Sequence, residues 1–439
     1  MANSLITMFR LKDVRKKILF TLALLVVSRL GTVIPIPGIN PVALKEYFLA
    51  QSTSSNIGIT EYLNFFSGGA FSNFSLFMLG VMPYISMQII IQLLLLVIPS
   101  WKKMVEEPEG KKKIQKITRW GTVVVCLIQS YVVTVYAQSI PNALTIGQLA
   151  FTLVAMLTVT AGTMFLVWLG ERITEKGIGN GISLLIYAGI VARFPESIAT
   201  LFRSISAGVL NPVVVLVVVA MFIVVVALVV YEEQGQRKIP VNYAKRVVGR
   251  KMYGAQNSYI PFKINPSGVI PVIFASTLLS FPLQIASALG PEVRWMASFA
   301  KWLEPQGAPY LIIYTLLIIA FAFFYTQVSL NPVEMAKQIR ENGGSVPGVR
   351  TEKLEEYLTR ILNRIVLPGA IFLAFIALIP TLVQKFFNFP ASVAMMFGGT
   401  SLLILVGTTL ETTRQIESLL KMHHHDTTFG ASKGKVKYL

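Results

Sequence analysis

Residues 212–231 read PVVVLVVVAMFIVVVALVVY. Twenty residues without a charge, rising 1.5 Å each, make a helix of about 30 Å, the thickness of a bilayer's hydrocarbon core. The signature recurs along the chain, and spans are predicted at 18–34, 74–98, 120–138, 148–169, 182–201, 212–231, 268–287, 309–330, 365–383 and 392–413. The fifth is the weakest: Arg193, Pro195 and Glu196 interrupt it, so it is either short and tilted or begins in the glycine-rich stretch before Gly181. Hydrophobic residues make up 54% of the 439 and charged ones only 14%, against roughly 25% charged in a soluble domain. The solvent for most of this chain is lipid, and the expected fold class is an all-α polytopic membrane protein of about ten transmembrane helices.

A net charge of +18 points to nucleic acid, an anionic membrane face or an acidic partner, and position decides among them. Segments 1–17, 99–119, 170–181, 232–267, 331–364 and 414–439 hold 32 of the 39 Lys and Arg; the alternate segments 35–60, 139–147, 193–211, 288–308 and 384–391 hold 6, and Arg29 lies inside the first span. Short cytoplasmic loops keep such residues. Both termini are therefore expected in the cytoplasm, which requires an even number of spans and favours ten over nine or eleven. Topology accounts for the charge without nucleic acid. Loops 232–267 and 331–364 nevertheless exceed thirty residues, longer than idle connections usually run. The first interleaves Arg237, Lys238, Lys245, Arg246, Arg250 and Lys251 with Tyr243, Tyr253 and Tyr259, a composition suited to docking an acidic partner as well as to orienting the chain.

Residues 61–73, EYLNFFSGGAFSN, are too short and polar to span and too apolar for an ordinary loop. A re-entrant half-helix is expected, and irregular backbone at that depth survives only inside protein or beside an aqueous cavity; an interfacial helix lying flat on the outer leaflet is the other reading. Gly80-Val-Met-Pro83-Tyr-Ile85 opens the second span and Gly268-Val-Ile-Pro271-Val-Ile273 the seventh. These positions are equivalent if ten helices form two inverted halves of five around a central pathway, although a six-residue match also arises by chance.

Ionisable groups inside a bilayer are costly and are kept mainly for function. Only Arg29 lies clearly within a predicted span, where snorkelling or a bond to a backbone carbonyl accounts for it. No buried acid, Lys or His is predicted, which disfavours an ion-coupled transporter. An intramembrane hydrolase is disfavoured more strongly, because no span contains a histidine and no His-Glu-x-x-His motif occurs. Gly177-Ile-Gly179-Asn-Gly181 lacks the Lys-Ser or Lys-Thr of a phosphate loop and reads as a tight turn. Cys126, the single cysteine, sits in an apolar run as a small buried filler, and His423–His425 belong to a polar tail. No cofactor or metal is expected, and any energy source must be a separate protein. No cleavable signal peptide is evident before the first span.

Several motifs together closely resemble the SecY family: Pro35-Ile-Pro-Gly38, Phe65-Phe-Ser-Gly-Gly-Ala70, Gly80-Val-Met-Pro-Tyr-Ile-Ser86 on to Gln92, and Trp168-Leu-Gly-Glu-Arg-Ile-Thr-Glu-Lys-Gly-Ile-Gly-Asn-Gly-Ile-Ser183. Val241-Asn-Tyr-Ala-Lys-Arg246, Val269-Ile-Pro271, Val346-Pro-Gly-Val-Arg350 and Phe397-Gly-Gly-Thr-Ser-Leu-Leu-Ile404 follow in family order, so the resemblance covers nearly the whole chain.

The resemblance implies a protein-conducting channel of the general secretion pathway, passive and without chemistry of its own. Two pseudo-symmetric halves, 1–201 and 212–413, would hinge at the external segment 202–211, followed by a cytoplasmic tail at 414–439. It implies a hydrophobic pore ring at Val81, Ile85, Ile186, Ile273 and Ile404, with Val81 replacing the commoner isoleucine. Such side chains offer a sliding polypeptide no polar hold and dewet when idle. It further implies a plug in the half-helix 61–73, with Phe65, Phe66, Gly68, Gly69 and Phe71, and a lateral gate between the second and seventh helices, where Gln88 and Gln92 bond across the gate or serve ordinary packing. Arg250, Lys251 and Arg350 would dock the motor SecA or the ribosome. SecE and usually SecG would complete the complex, secretory and membrane-protein chains would be the substrates, and membrane lipids would receive the hydrophobic ones. The expected location is a bacterial plasma membrane.

Overall fold

The computed structural model of the chain describes residues 11–433 apart from 53–63, 65–66, 139, 244–245, 249–250, 254–256, 290–293, 305–306, 388, 390 and 397. Its helices are α1 (Lys12–Leu30), α2 (Pro41–Ser52), α3 (Met82–Val97), α4 (Pro99–Glu106), α5 (Pro108–Gln138), α6 (Gln148–Lys176), α7 (Gly181–Ser206) and α8 (Pro212–Gln234). After strands β1 (Gln236–Tyr243), β2 (Arg246–Val248), β3 (Lys251–Tyr253) and β4 (Asn257–Lys263) come α9 (Ile270–Leu289), α10 (Arg294–Trp302), α11 (Ala308–Ser329) and α12 (Pro332–Glu341). Strand β5 (Gly344–Ser345), α13 (Leu354–Phe387), α14 (Ala391–Met396) and α15 (Gly399–Lys433) complete the order. The starts are written locally. Proline leads α2, α4, α5, α8 and α12, where its missing N–H costs nothing. The side chains of Asn180, Asn211 and Asn331 accept from the first free N–H groups of α7, α8 and α12.

Among the described residues, seven helical stretches, in α5, α6, α7, α8, α11, α13 and α15, are long and apolar enough to cross a membrane. The second and seventh predicted spans correspond to shorter apolar helices, and the first falls in the 19-residue α1. In α1 the segment Lys12–Lys17 carries most of the charge, and the apolar helices in α3 and α9 are Met82–Leu95 and Ile270–Ser280. The second span therefore starts later than predicted, because residues 74–81 are turns. The fifth is a continuous 26-residue helix from Gly181 that runs through Pro195 to Ser206, longer than the 182–201 expected. Arg193 is buried within it and pairs with Glu196 one turn on at 3.6 Å.

The helices pack as a bundle, α5 on α6 and α3, α9 on α11, α11 on α13, and α3 against α9. One apolar core joins α3, α6, α7, α8, α9, α11, α13, α14 and α15; a second joins Ile36, Phe71, Phe74 and Met78 to α5 and α6. Buried Cys126 belongs to the second core, as a small filler. At one end of α6, Arg119 of α5 forms a two-pronged pair with Glu171, at 2.9 and 2.8 Å. Arg119 is 45% exposed, and exposed pairs contribute little. Glu171→Gln is expected to lower stability by less than about 1 kcal/mol, read as a small drop in thermal midpoint that shrinks further in high salt.

Loops 232–267 and 331–364 are not irregular. They share an antiparallel sheet of order β4-β1-β5, in which Gln236 to Asn242 face Lys263 to Asn257, and Asn242 and Tyr243 face Ser345 and Gly344. Strands β2 and β3 form a separate hairpin. The sheet has its own small core, in which Ile239, Val241 and Phe262 pack on Ile339 of α12 and Leu354 and Leu358 of α13.

Candidate functional site

Of the segment 61–73 predicted as a half-helix, Asn64 is helical, 61–63 and 65–66 lie outside the described residues, and 67–73 are turns, which continue to Gly80 with a bridge residue at Ser75. Composition explains the turns. Buried backbone needs partners, and short polar side chains supply them here in place of helix. Asn64 Oδ1 accepts from the Ser72 N–H at 3.0 Å, Ser67 Oγ accepts from the Phe71 N–H at 3.1 Å and donates to the Asn64 carbonyl at 3.2 Å, and Ser75 Oγ donates to the Ala70 carbonyl at 3.1 Å. The Gly69 N–H closes the turn on the Asn64 carbonyl at 2.9 Å. Gly68 has φ +65°, and a Cβ there would lie 2.7 Å from the Gly189 Cα of α7, so both conformation and close approach require glycine.

Phe71 sits in the second core, 2% exposed, with ring centroids 5.6 Å from Phe74 and 6.3 Å from Tyr136 of α5. Burial of a phenylalanine is worth about 1.5–3 kcal/mol, so Phe71 anchors the end of the segment to the bundle. Phe65 and Phe66 lie outside the described residues.

The five residues expected in the ring fall in one apolar cluster. Val81 at the start of α3, Ile85 in its first turn, Ile186 in the second turn of α7 and Ile404 in α15 are all buried, and partly buried Ile273 of α9 packs against them. Val81 and Ile186 also line a cavity of about 20 Å³ together with Phe77, Gly80, Arg29 and Ser67 of the turn segment. Val81 and Ile186 are thus direct neighbours of the turn. The internal echo has a structural counterpart: Gly80 and Gly268 have φ +55° and +57°, and each is followed by a helix with proline in its second position.

Gln88 Nε2 donates to the Tyr84 hydroxyl at 3.1 Å within its own helix, and Gln92 Oε1 is buried without a hydrogen-bond partner. Of the docking residues, Arg350 is exposed just after Gly348, which has φ +79°, and its carbonyl accepts from Lys353 N–H at 2.9 Å. Lys251 opens β3 opposite Val248, and Arg250 lies outside the described residues.

Sequence reading missed the buried charge at the end of α8, which runs to Gln234 and not to 231. Glu232 and Glu233 are each 6% exposed, a correction to the expectation of no buried acids. They occupy the last turn, where Arg414 of α15 donates to the Glu233 carbonyl at 3.2 Å, and so stand at the sheet end of the helix, away from its middle. Beside them Gln415 accepts from the Gly179 N–H, tying α15 to the turn before α7. Arg29 does find a backbone carbonyl, that of Gly68, at 3.5 Å.

The SecY family model matches residues 75–413. The protein translocase subunit SecY of Borreliella burgdorferi is 45% identical over 423 residues, which cover 96% of each chain. That of Escherichia coli K12 is 41% identical over 424 residues, covering 95% of this chain and 94% of its own. Among solved structures, one described as "the structure of a protein conducting channel" superposes with a TM-score of 0.64 at 21% identity, covering 92% of this chain and 91% of that one. A second, concerning the plug domain of a SecY protein and its closed channel state, gives 0.63 at 21% identity over the same shares of both chains. The match in sequence extends from the turn segment through the apolar cluster to α15, and with it the chain belongs to the SecY family, as a multi-pass membrane protein that forms a protein translocation channel.

Proposed function

We propose that the apolar cluster of Val81, Ile85, Ile186, Ile273 and Ile404 is the constriction through which an unfolded polypeptide passes, and that segment 61–73 seats against it as a plug. The observation that carries this reading is the shared cavity, where Val81 and Ile186 meet Ser67. Aliphatic side chains yield to any passing sequence and expel water when idle. Ten helices in two inverted halves, 1–201 and 212–413, hinge at 202–211 and part between α3 and α9. These two helices pack on each other, and their parting releases hydrophobic segments sideways into lipid.

The channel does no chemistry. Work comes from the motor SecA or from the ribosome, docked on the basic surface of Arg250, Lys251 and Arg350; a structural neighbour, Sec61, is described in a ribosome–channel complex. SecE and SecG complete the assembly in a bacterial plasma membrane with both termini cytoplasmic.

The test places one cysteine in a secretory substrate and another at Ile85, after Cys126→Ser, and stalls transport. A disulfide that depends on the motor is expected. Crosslinks confined to lipid-facing positions such as Leu216, 71% exposed, would instead move the path out of the cluster.

A further inference from the structure

We propose that Arg29 of α1 is the latch that holds the plug turn in its resting seat, by donating to the Gly68 carbonyl while packing over Gly189 of α7. The inference rests on the reading of residues 61–73 as the plug. Arg29 Nη1 donates to the Gly68 oxygen at 3.5 Å. A Cβ built on Gly68 would meet Nη1 at 2.5 Å and the Gly189 backbone at 2.7 Å, and one built on Gly189 would meet Nη2 at 3.4 Å. One guanidinium therefore bonds the turn and lies against α7, from a third helix, at a point where Gly68 leaves no room for a side chain.

The chemistry suits a contact that must hold and then let go. A charged side chain within a span is costly and is retained where it is used. Charge-assisted N–H···O bonds normally measure about 2.7–2.9 Å, so a bond of 3.5 Å is stretched and weak. Arg29 Nε is buried with no partner. The adjoining cavity of about 20 Å³, lined by Ser28, Thr32 and Ser67 as well as Arg29, has room for one water. When the turn departs, water entering the pore replaces the lost carbonyl, so release leaves no charge stranded. Lysine cannot reproduce the arrangement, because a point charge on a flexible stem cannot hold two surfaces with one planar fork.

The experiment uses the full chain with Cys126→Ser and Ser67→Cys, reconstituted in lipid vesicles and labelled with a membrane-impermeant maleimide. Ser67 is 6% exposed, so labelling reports departure of the turn. Arg29→Met is expected to label about threefold faster than the parent, because a stretched charged bond is worth less than a well-formed one, and Arg29→Lys at a rate between the two. Equal rates for all three overturn the latch. Should Arg29→Met fail to insert, Arg29→Lys decides alone: faster than the parent supports the latch, and the parental rate refutes it. Ile85→Ser, assayed for resting ion conductance, separates this from the underlying reading. If that variant leaks and the labelling rates are equal, only the latch is wrong; if it does not leak, the pore assignment itself has failed.

Discussion

Serine at Ile85, Ile186 and Ile404 together is expected to raise the resting ion conductance of the reconstituted channel by about a hundredfold. Each parent side chain is at most 5% exposed in the apolar cluster, and full burial of an isoleucine is worth about 1.5–3 kcal/mol. A hydroxyl in each place gives entering water a partner. If each exchange lowers the cost of wetting the constriction by only about 1 kcal/mol, well below the burial value, the three combine to roughly two powers of ten. Single-channel recording in a planar bilayer reads the result. A triple variant as tight as the parent would show that the seal lies elsewhere in the bundle.

The second large effect is on stability. A methyl group at Gly399, the first residue of α15, would lie 1.8 Å from the Ile376 carbonyl oxygen of α13 and 2.3 Å from its carbon. These are backbone atoms in a long helix and cannot swing aside as a side chain would. Gly399→Ala should therefore destabilise by about 3 kcal/mol or more, at or above the upper end for overpacking, and thermal unfolding of the purified protein should show a clearly lowered midpoint. Gly407→Ala in the same helix is the control. Its nearest neighbour is a Val269 methyl at 3.2 Å, the end of a side chain, and the gain in helix propensity, about 0.8–1 kcal/mol, offsets the squeeze. A parental midpoint for Gly399→Ala would mean that α13 and α15 pack less closely than described.

What the sequence disclosed follows the reach of each signal. Hydropathy found the long helices because twenty apolar residues are a strong pattern, and 212–231 carries no competing charge. It placed the beginning of α3 too early, because residues 74–81 are as apolar as the helix after them and only the hydrogen bonds tell a turn from a helix there. A window that ends where charge begins could not include Glu232 and Glu233, whose shelter comes from elements more than a hundred residues away in sequence, Gly369 and Arg414. Gly369 would place a Cβ 3.7 Å from Glu232 Oε1. The ring positions are proposed through resemblance, since nothing in a lone isoleucine separates pore from core. The serine and asparagine side chains of residues 64–75 were visible from the start, and their density within an aromatic run was the signal for self-bonded turns.

The sheet shared by the two long loops has a consequence for how the protein is made. Ser345 of β5 bonds the Asn242 carbonyl of β1 across 103 residues of chain, and α9 and α11 lie between them. While the chain is still growing, β1 and β4 can pair as soon as both have been synthesised, but β5 arrives only after two more hydrophobic helices have been threaded into the bilayer. The last strand is thus a record that α9 and α11 are in place, with α13 and α15 still to follow. A newborn chain stalled before Gly344 presents a two-stranded sheet with an open edge, so the finished three-stranded surface distinguishes a chain that has passed α11 from one that has not.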